Sequence, residues 1–166
     1  MGQLKAGTAK VNVTPYVGIN LSGFGNRTKP SEGIHDDLYV RALVLDDGAM
    51  KIGIASCDLL NLGESSIASI RDKVQESTGV CGENIFISTT HTHSGPLNSP
   101  LRGFGKLDRE WVNILEKKIA GAFIIASSNL QEARIGAGKG RVEINVNRRE
   151  KRGDQVVIGT SAGGNI

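Results

Sequence analysis

A strand, a helix and a second strand that ends in two closely spaced histidines constrain the fold of this chain more than any other stretch. The segment Lys51–Cys57 is almost entirely apolar, which predicts a buried central strand. Ser65 or Ser66 is the expected cap of a helix that runs to about Ser77, and the β-branched segment 84–90 then predicts a second buried strand. This order predicts a parallel βαβ crossover and therefore an α/β fold.

The remaining segments predict a mixed β-sheet flanked by helices. Asp108 is the expected cap of a second helix over 109–127, because its apolar residues recur on one stripe. The glycine-rich segment 15–33 is expected to be a long loop, and such loops are often functional. Further strands are predicted over 6–13, 38–46 with an Asp47-Gly48 hairpin turn, 133–138, 142–146 with a turn at 138–140, and from 155 to 159.

His91 and His93 follow the strand over 84–90, where Gly95 and Pro96 end regular structure. Residues two apart in an extended chain point to the same side, so we expect both imidazoles to face one point. Imidazole is a common zinc ligand, which makes the pair a candidate metal site. Asp58 follows the other strand of the crossover and should lie close by, either as a turn or helix cap or as a partner of the metal site.

Composition excludes several classes of function. The net charge is +3 over 166 residues and only 4% of residues are aromatic, which argues against a nucleic-acid surface. The basic group 148–152 is interpreted as a solvated turn. No apolar run reaches the roughly 20 residues that a transmembrane helix needs. The N-terminus lacks a hydrophobic signal, which predicts a cytoplasmic protein, or a secreted one if a signal had been removed.

Several segments, taken in order, resemble the N-terminal part of the neutral/alkaline non-lysosomal ceramidases. The most specific is Thr90-His91-Thr92-His93-Ser94-Gly95-Pro96. Supporting segments are 6–15, 21–25, 33–42, 56–60 and 147–149.

The resemblance implies a zinc-dependent amidohydrolase that cleaves an N-acyl, ceramide-like amide or another small amide with a zinc-activated water. It implies that His91 is a zinc ligand and that His93 lies beside the metal, assisting the water or the oxyanion. It also implies that Arg148 contacts the polar head of the substrate. Asp58 is a possible partner of the ligand shell.

The chain departs from this family in one respect. The family holds zinc with a further histidine, a glutamate and a tyrosine later in the chain, and no histidine follows His93. We therefore expect residues 1–166 to form an incomplete domain with little or no hydrolase activity alone. The alternative is a non-catalytic α/β domain in which the histidine pair is structural or binds metal loosely. In that case an exposed sheet edge would favour self-association.

Overall fold

The structure of the chain is a computed structural model that describes residues 3–144 and 149–158. Two compact units make up the chain. The first is Met1–Arg134 and the second is Ile135–Ile166.

A five-stranded mixed sheet forms the first unit. Its strands lie in the order β4-β3-β2-β1-β5, and β3 and β4 are parallel while the other neighbours are antiparallel. Helix α1 connects β3 to β4, so the predicted crossover and the α/β class are confirmed. The elements are β1 Lys5–Asn12, β2 Tyr39–Asp46, β3 Lys51–Cys57, α1 Glu64–Thr78, a 3₁₀ turn Gly82–Asn84, β4 Ile85–Thr89, α2 Arg109–Ser128 and β5 Gln131–Glu132.

The hairpin between β2 and β3 turns where the sequence predicts it. The carboxylate of Asp47 accepts hydrogen bonds from the backbone N–H groups of Ala49 and Met50 at 2.9 and 2.8 Å. Gly48 has φ +86°, a left-handed conformation that glycine adopts without a steric penalty. The hydrogen bonds from Met50 and Ala49 also lower the pKa of Asp47.

Both helices pack on one face of the sheet. One buried cluster joins the inward residues of the strands to apolar residues of α1 and α2, including Val44, Ala55, Ile70 and Phe123. The opposite face is more open, with Ile54 of β3 40% exposed and Phe86 of β4 64% exposed. The strand predicted over 84–90 is thus confirmed as β4, but the expectation that it is buried is wrong, because β4 is the outermost strand of the sheet and one of its faces is exposed.

The two helices begin differently. The predicted cap of α2 is confirmed, since the Asp108 carboxylate accepts a hydrogen bond from the N–H of Trp111 at 2.9 Å. The predicted cap of α1 is wrong, because the capping residue is Gly63 and it makes no side-chain bond. Ser66 instead lies buried in the first turn, and Glu64 places a negative charge at the positive end of the helix dipole.

The second unit contains a two-stranded antiparallel hairpin, β6 Arg149–Arg152 and β7 Gln155–Ile158. The basic group is thus partly a strand rather than a turn. The strands predicted over 133–138 and 142–144 are wrong, because no strand forms in the described residues 133–144. Apolar residues of these segments, such as Ile135 and Ile144, stay exposed. Burial of one face therefore does not stabilise a strand there. Residues 145–146 and 159 lie outside the described residues.

None of the helices in the described part of the chain is long and apolar enough to cross a membrane.

The close contact between β1 and α2 predicts that one added methyl group lowers the stability of the fold. A Cβ added at Gly7 would lie 2.0 Å from the carbonyl oxygen of Ala126, which is helix backbone and cannot rotate away. We expect Gly7→Ala to lower the free energy of unfolding by about 1–3 kcal/mol, the usual cost of overpacking a core. Urea unfolding measures this. The matched control is Gly121→Ala, which meets nothing within 4 Å and should stabilise α2 by about 0.5–1 kcal/mol.

Candidate functional site

The parallel pairing of β3 and β4 brings two chain segments together at one edge of the sheet. Cys57 and Thr89 are register partners, and the N–H of Thr90 donates to the carbonyl of Cys57 at 3.0 Å. The segments that follow the two strands therefore run side by side. The segment after Cys57 thus reaches the histidine segment through Leu60, while the closeness of Asp58 to the two histidines stays a prediction.

The His91 and His93 rings lie in edge contact, but not for the reason that the sequence suggests. Their ring centroids lie 5.1 Å apart with an interplanar angle of 70°. The backbone at His91 is not extended, because its φ is +59°. A left-handed backbone is unusual for any residue except glycine and is often strained at functional sites. A sharp turn after β4, rather than the alternation of an extended strand, brings the two rings together.

A backbone carbonyl fixes the orientation of the His91 ring. Nδ1 of His91 lies 2.9 Å from the carbonyl oxygen of Leu60. A carbonyl oxygen only accepts hydrogen bonds, so Nδ1 carries the proton and Nε2 of the neutral ring has the free lone pair. Metal-binding histidines are commonly held in this way, with one ring nitrogen donating to a carbonyl and the other binding the metal.

The spacing of the two rings is compatible with a zinc ion between them. With zinc–nitrogen bonds of about 2.0–2.1 Å, two imidazoles on one tetrahedral ion would have ring centroids roughly 5 Å apart. The observed separation is 5.1 Å. Two histidines supply at most two of the four ligands that a closed zinc site uses.

The described residues do not supply a complete ligand set. Within 3–144 and 149–158, no group of three or more histidine, cysteine, aspartate or glutamate side chains could hold a metal ion. Cys57 lies close in the chain, but burial, with a smaller effect of Asp58, raises the pKa of its thiol to about 12. Its side chain is also buried in the core cluster rather than exposed beside the histidines.

Three residues of the loop between β1 and β2 surround His93, and the sequence analysis gave none of them a role. The Phe24 ring meets the His93 ring edge to face, with centroids 5.1 Å apart. Arg27 donates from Nη1 to the carbonyls of His93 and Ser22 at 3.2 and 3.1 Å. Gly23 lies so close that an added Cβ would sit 2.5 Å from the Cα of His93. The signal available in the sequence was the Gly-Phe-Gly run at 23–25 inside a loop of unusual length.

Backbone hydrogen bonds hold this loop against the histidine segment. The N–H of Ser22 donates to the carbonyl of Gly95 at 3.0 Å, and the N–H of Leu97 donates to the carbonyl of Asn20 at 2.7 Å. Leu21 and Pro96 form an isolated antiparallel bridge between these bonds. The buried hydroxyl of Ser22 adds a bond to the Pro96 carbonyl at 3.2 Å. The expectation of an irregular loop at 15–33 is thus confirmed, and the loop is ordered beside the site.

Asp58 lies at the predicted edge of the sheet. Its Oδ2 accepts from Nη1 of Arg41 at 2.9 Å and from the N–H of Tyr39 at 3.0 Å. The carboxylate is thus engaged with β2, and its role beside a metal stays a prediction. Arg148, the predicted contact for the substrate head, lies outside the described residues.

A cleft of about 380 Å³ adjoins the histidine segment. Thr92 and Ser94, which alternate with the two histidines, line it. Its apolar wall includes Leu21, Leu38 and Pro96. The size lies within the range of small-molecule pockets.

Comparisons with known proteins agree with this architecture. The family model of the neutral/alkaline non-lysosomal ceramidase, N-terminal, matches residues 4–151. Neutral ceramidases of Drosophila melanogaster and Drosophila pseudoobscura pseudoobscura are each 30% identical over 96 residues, which is 55% of this chain and 14% of the relative. The chain thus spans a small part of their length.

Two solved structures share the fold. The crystal structure of neutral ceramidase from Pseudomonas aeruginosa superimposes with a TM-score of 0.70 at 22% identity, covering 80% of this chain and 22% of that one. A structure described as ceramidase complexed with C2 gives a TM-score of 0.69 with the same identity and coverage. The chain belongs to the neutral/alkaline non-lysosomal ceramidase family, in the N-terminal region that the family model describes.

The close approach of Gly23 to His93 can be tested by adding one methyl group. Gly23 has φ +104°, so Gly23→Ala both strains the backbone and collides with His93. We expect the free energy of unfolding to fall by about 1–3 kcal/mol and the imidazole NMR signal of His93 to move. Gly25→Ala meets nothing within 4 Å and serves as the control. An unchanged His93 signal in Gly23→Ala would contradict the packing described above.

Proposed function

We propose that His91 and His93 form the histidine part of the zinc site of a ceramidase-like amidohydrolase that cleaves an N-acyl, lipid-like amide. The observation that carries this proposal is the contact between the two imidazoles, whose ring centroids lie 5.1 Å apart, with Nδ1 of His91 bonded to the Leu60 carbonyl. Membership of the ceramidase family supports the reaction class, and the names of the relatives support a ceramide-like substrate.

The residues of the chain have distinct roles in this proposal. His91 holds the metal through Nε2. A zinc ion there supplies Lewis acidity toward an amide carbonyl and a water molecule. His93, beside it, accepts a proton from the attacking water or stabilises the oxyanion that forms on the carbonyl. Arg148 binds the polar head of the substrate, and Asp58 is a partner of the ligand shell.

The cleft beside Thr92 and Ser94 suits the apolar part of such a substrate. Leu21, Leu38 and Pro96 offer apolar contacts, and the cleft adjoins the segment that carries the histidines. An amide placed at the histidines could extend an alkyl group toward this wall.

The remaining zinc ligands, in this proposal, are donors outside the described residues. A chain that contributes one or two imidazoles binds zinc weakly, because a stable site uses three or four protein ligands. We therefore propose that this chain alone has little or no hydrolase activity, and that it supplies the N-terminal portion of the catalytic domain.

Zinc binding by single-histidine variants tests the site. We expect this chain to bind zinc weakly, and His91→Ala to reduce the affinity about tenfold or more, since it removes the ligand. His93→Ala should reduce it less if His93 is a neighbour rather than a ligand. Isothermal titration calorimetry measures the affinities at a fixed pH. His35→Ala is the control, because His35 is exposed and bonds to Asp36.

Zinc affinity that is the same in His91→Ala as in the unsubstituted chain would sink the proposed site. Rapid turnover of an N-acyl substrate by these 166 residues, with zinc added, would refute the claim that the chain is inactive alone.

Self-association is a second proposal, and it follows from the outer strand. Among the described residues β4 pairs only with β3, so its other edge has no strand partner, although the guanidinium of Arg71 donates to the Ile85 carbonyl at the start of that edge. Such edges pair readily with another strand, especially when apolar side chains flank them. Phe86 supplies an exposed apolar ring on this strand. The same edge would serve the alternative, non-catalytic reading of the domain.

A charge on β4 should weaken this association. We expect Phe86→Lys to shift the chain toward monomer at concentrations where the unsubstituted chain associates, because lysine on an edge strand opposes pairing. Sedimentation velocity measures the distribution. Ile125→Lys is the control, since Ile125 is 48% exposed but lies on α2. Equal effects of the two substitutions would argue against association through β4.

A further inference from the structure

Arg27 lies at the centre of the contacts that surround His93. Its Nη1 donates to the carbonyls of Ser22 and His93 at 3.1 and 3.2 Å, so one nitrogen joins two segments that are far apart in the chain. Its guanidinium carbon lies 5.1 Å from the centroid of the Phe24 ring. Phe24 in turn contacts the His93 ring with its centroid at 5.1 Å. Arg27 and Phe24 together are called the arginine clamp below.

We propose that Arg27 is a positioning residue that fixes the backbone and ring of His93. The clamp acts on His93 in two ways, by a hydrogen bond to its carbonyl and by holding Phe24 against its imidazole. This deepens the proposed function, because the residue positioned is the one assigned to proton transfer or oxyanion stabilisation.

The chemistry of arginine suits this position. A guanidinium is planar and carries several N–H groups, so it can donate to two carbonyls while it lies beside an aromatic ring. A lysine ammonium could donate to the same carbonyls but has no flat face. Bonds from a charged donor to a carbonyl are stronger than neutral ones, so the clamp resists displacement of the His93 backbone.

The turn at His91 explains why such a clamp is useful. The left-handed backbone there is less favourable than an extended one, and the glycine and prolines that follow do not belong to a regular element. His93 is therefore not fixed by a helix or strand of its own. Its ring has Phe24 and His91 as edge neighbours, each with a centroid 5.1 Å away. The β1–β2 loop supplies the rigidity that the histidine segment lacks.

The three histidines of the chain make the test direct, because the protein has only three imidazole signals. Carbon–proton NMR spectra of the rings are recorded without metal at pH 8. This pH lies above the usual histidine pKa of about 6.5, so the signal positions report the environment of each ring rather than its protonation. Signals are assigned with His→Gln variants. We expect Arg27→Ala to move or broaden the His93 signal, through lost contact with Phe24, while the His35 signal stays in place. Arg27→Lys should restore part of the effect, and Phe24→Leu should move the His93 signal in the same direction.

Arg102→Ala is the matched control, because Arg102 is an exposed arginine of the same unit and its loss changes the charge equally. A His93 signal that is unchanged in both Arg27→Ala and Arg27→Lys overturns the proposal. Equal movement of the His35 and His93 signals also overturns it, since Arg27 would then support the fold in general. If Arg27→Ala does not fold, Arg27→Lys and Phe24→Leu decide by the same criteria.

A separate measurement distinguishes this inference from the proposed zinc site. Loss of the clamp should lower zinc affinity no more than His93→Ala does, because the clamp acts on the site through His93. A zinc affinity that is unchanged by His91→Ala would refute the proposed metal site and would not affect the NMR result on the clamp. An unmoved His93 signal would refute the clamp whatever the zinc result.

Discussion

The parallel pairing of β3 with β4 is the constraint on which the candidate site depends. It places the chain after Cys57 beside the chain after Thr89, so that the carbonyl of Leu60 can orient His91. Antiparallel pairing would put one of these segments at the opposite end of the sheet. The crossover through α1 makes the parallel pairing possible, and the burial of Ile70 and Val74 holds α1 against the sheet. The packing of one helix thus fixes the neighbourhood of the histidines.

The two faces of the sheet differ, because one is covered by helices and the other is open. The residues that stabilise the fold are therefore not those of the candidate site. The core lies on the covered face of the sheet, where Gly7 and Gly53 have no side chain and α2 packs close to the strands. The open face and the edge of β4 contribute little burial. The histidines lie beyond the strand ends, where neither face constrains them, and the long β1–β2 loop takes over the structural role. Rigidity at the site therefore comes from an irregular segment rather than from the sheet.

The fold of the first unit was largely predictable because its patterns are local and strong. The alternation in β1 and β2, the apolar run of β3 and the stripe of α2 each encode an element and its buried side. Predictions failed where burial decides the outcome. The segment 133–138 alternates like a strand but its apolar residues stay exposed, and the position of β4 at the edge cannot be read from its composition.

The proximity of His91 and His93 was expected, yet its cause, a left-handed turn, was not, since no local signal marks a histidine for that conformation. Arg27, Phe24 and Gly23 were missed because their roles depend on contacts across the chain.

The distance in sequence between the two halves of the site affects how it forms. Arg27 and His93 are 66 positions apart, and Ser22 and Pro96 are 74 apart. Closing loops of that length costs chain entropy that only the assembled sheet can offset. The ordered histidine segment should therefore be among the last parts of the molecule to appear during folding and among the first to open under mild denaturant. The core could be intact in a molecule whose site has not yet assembled.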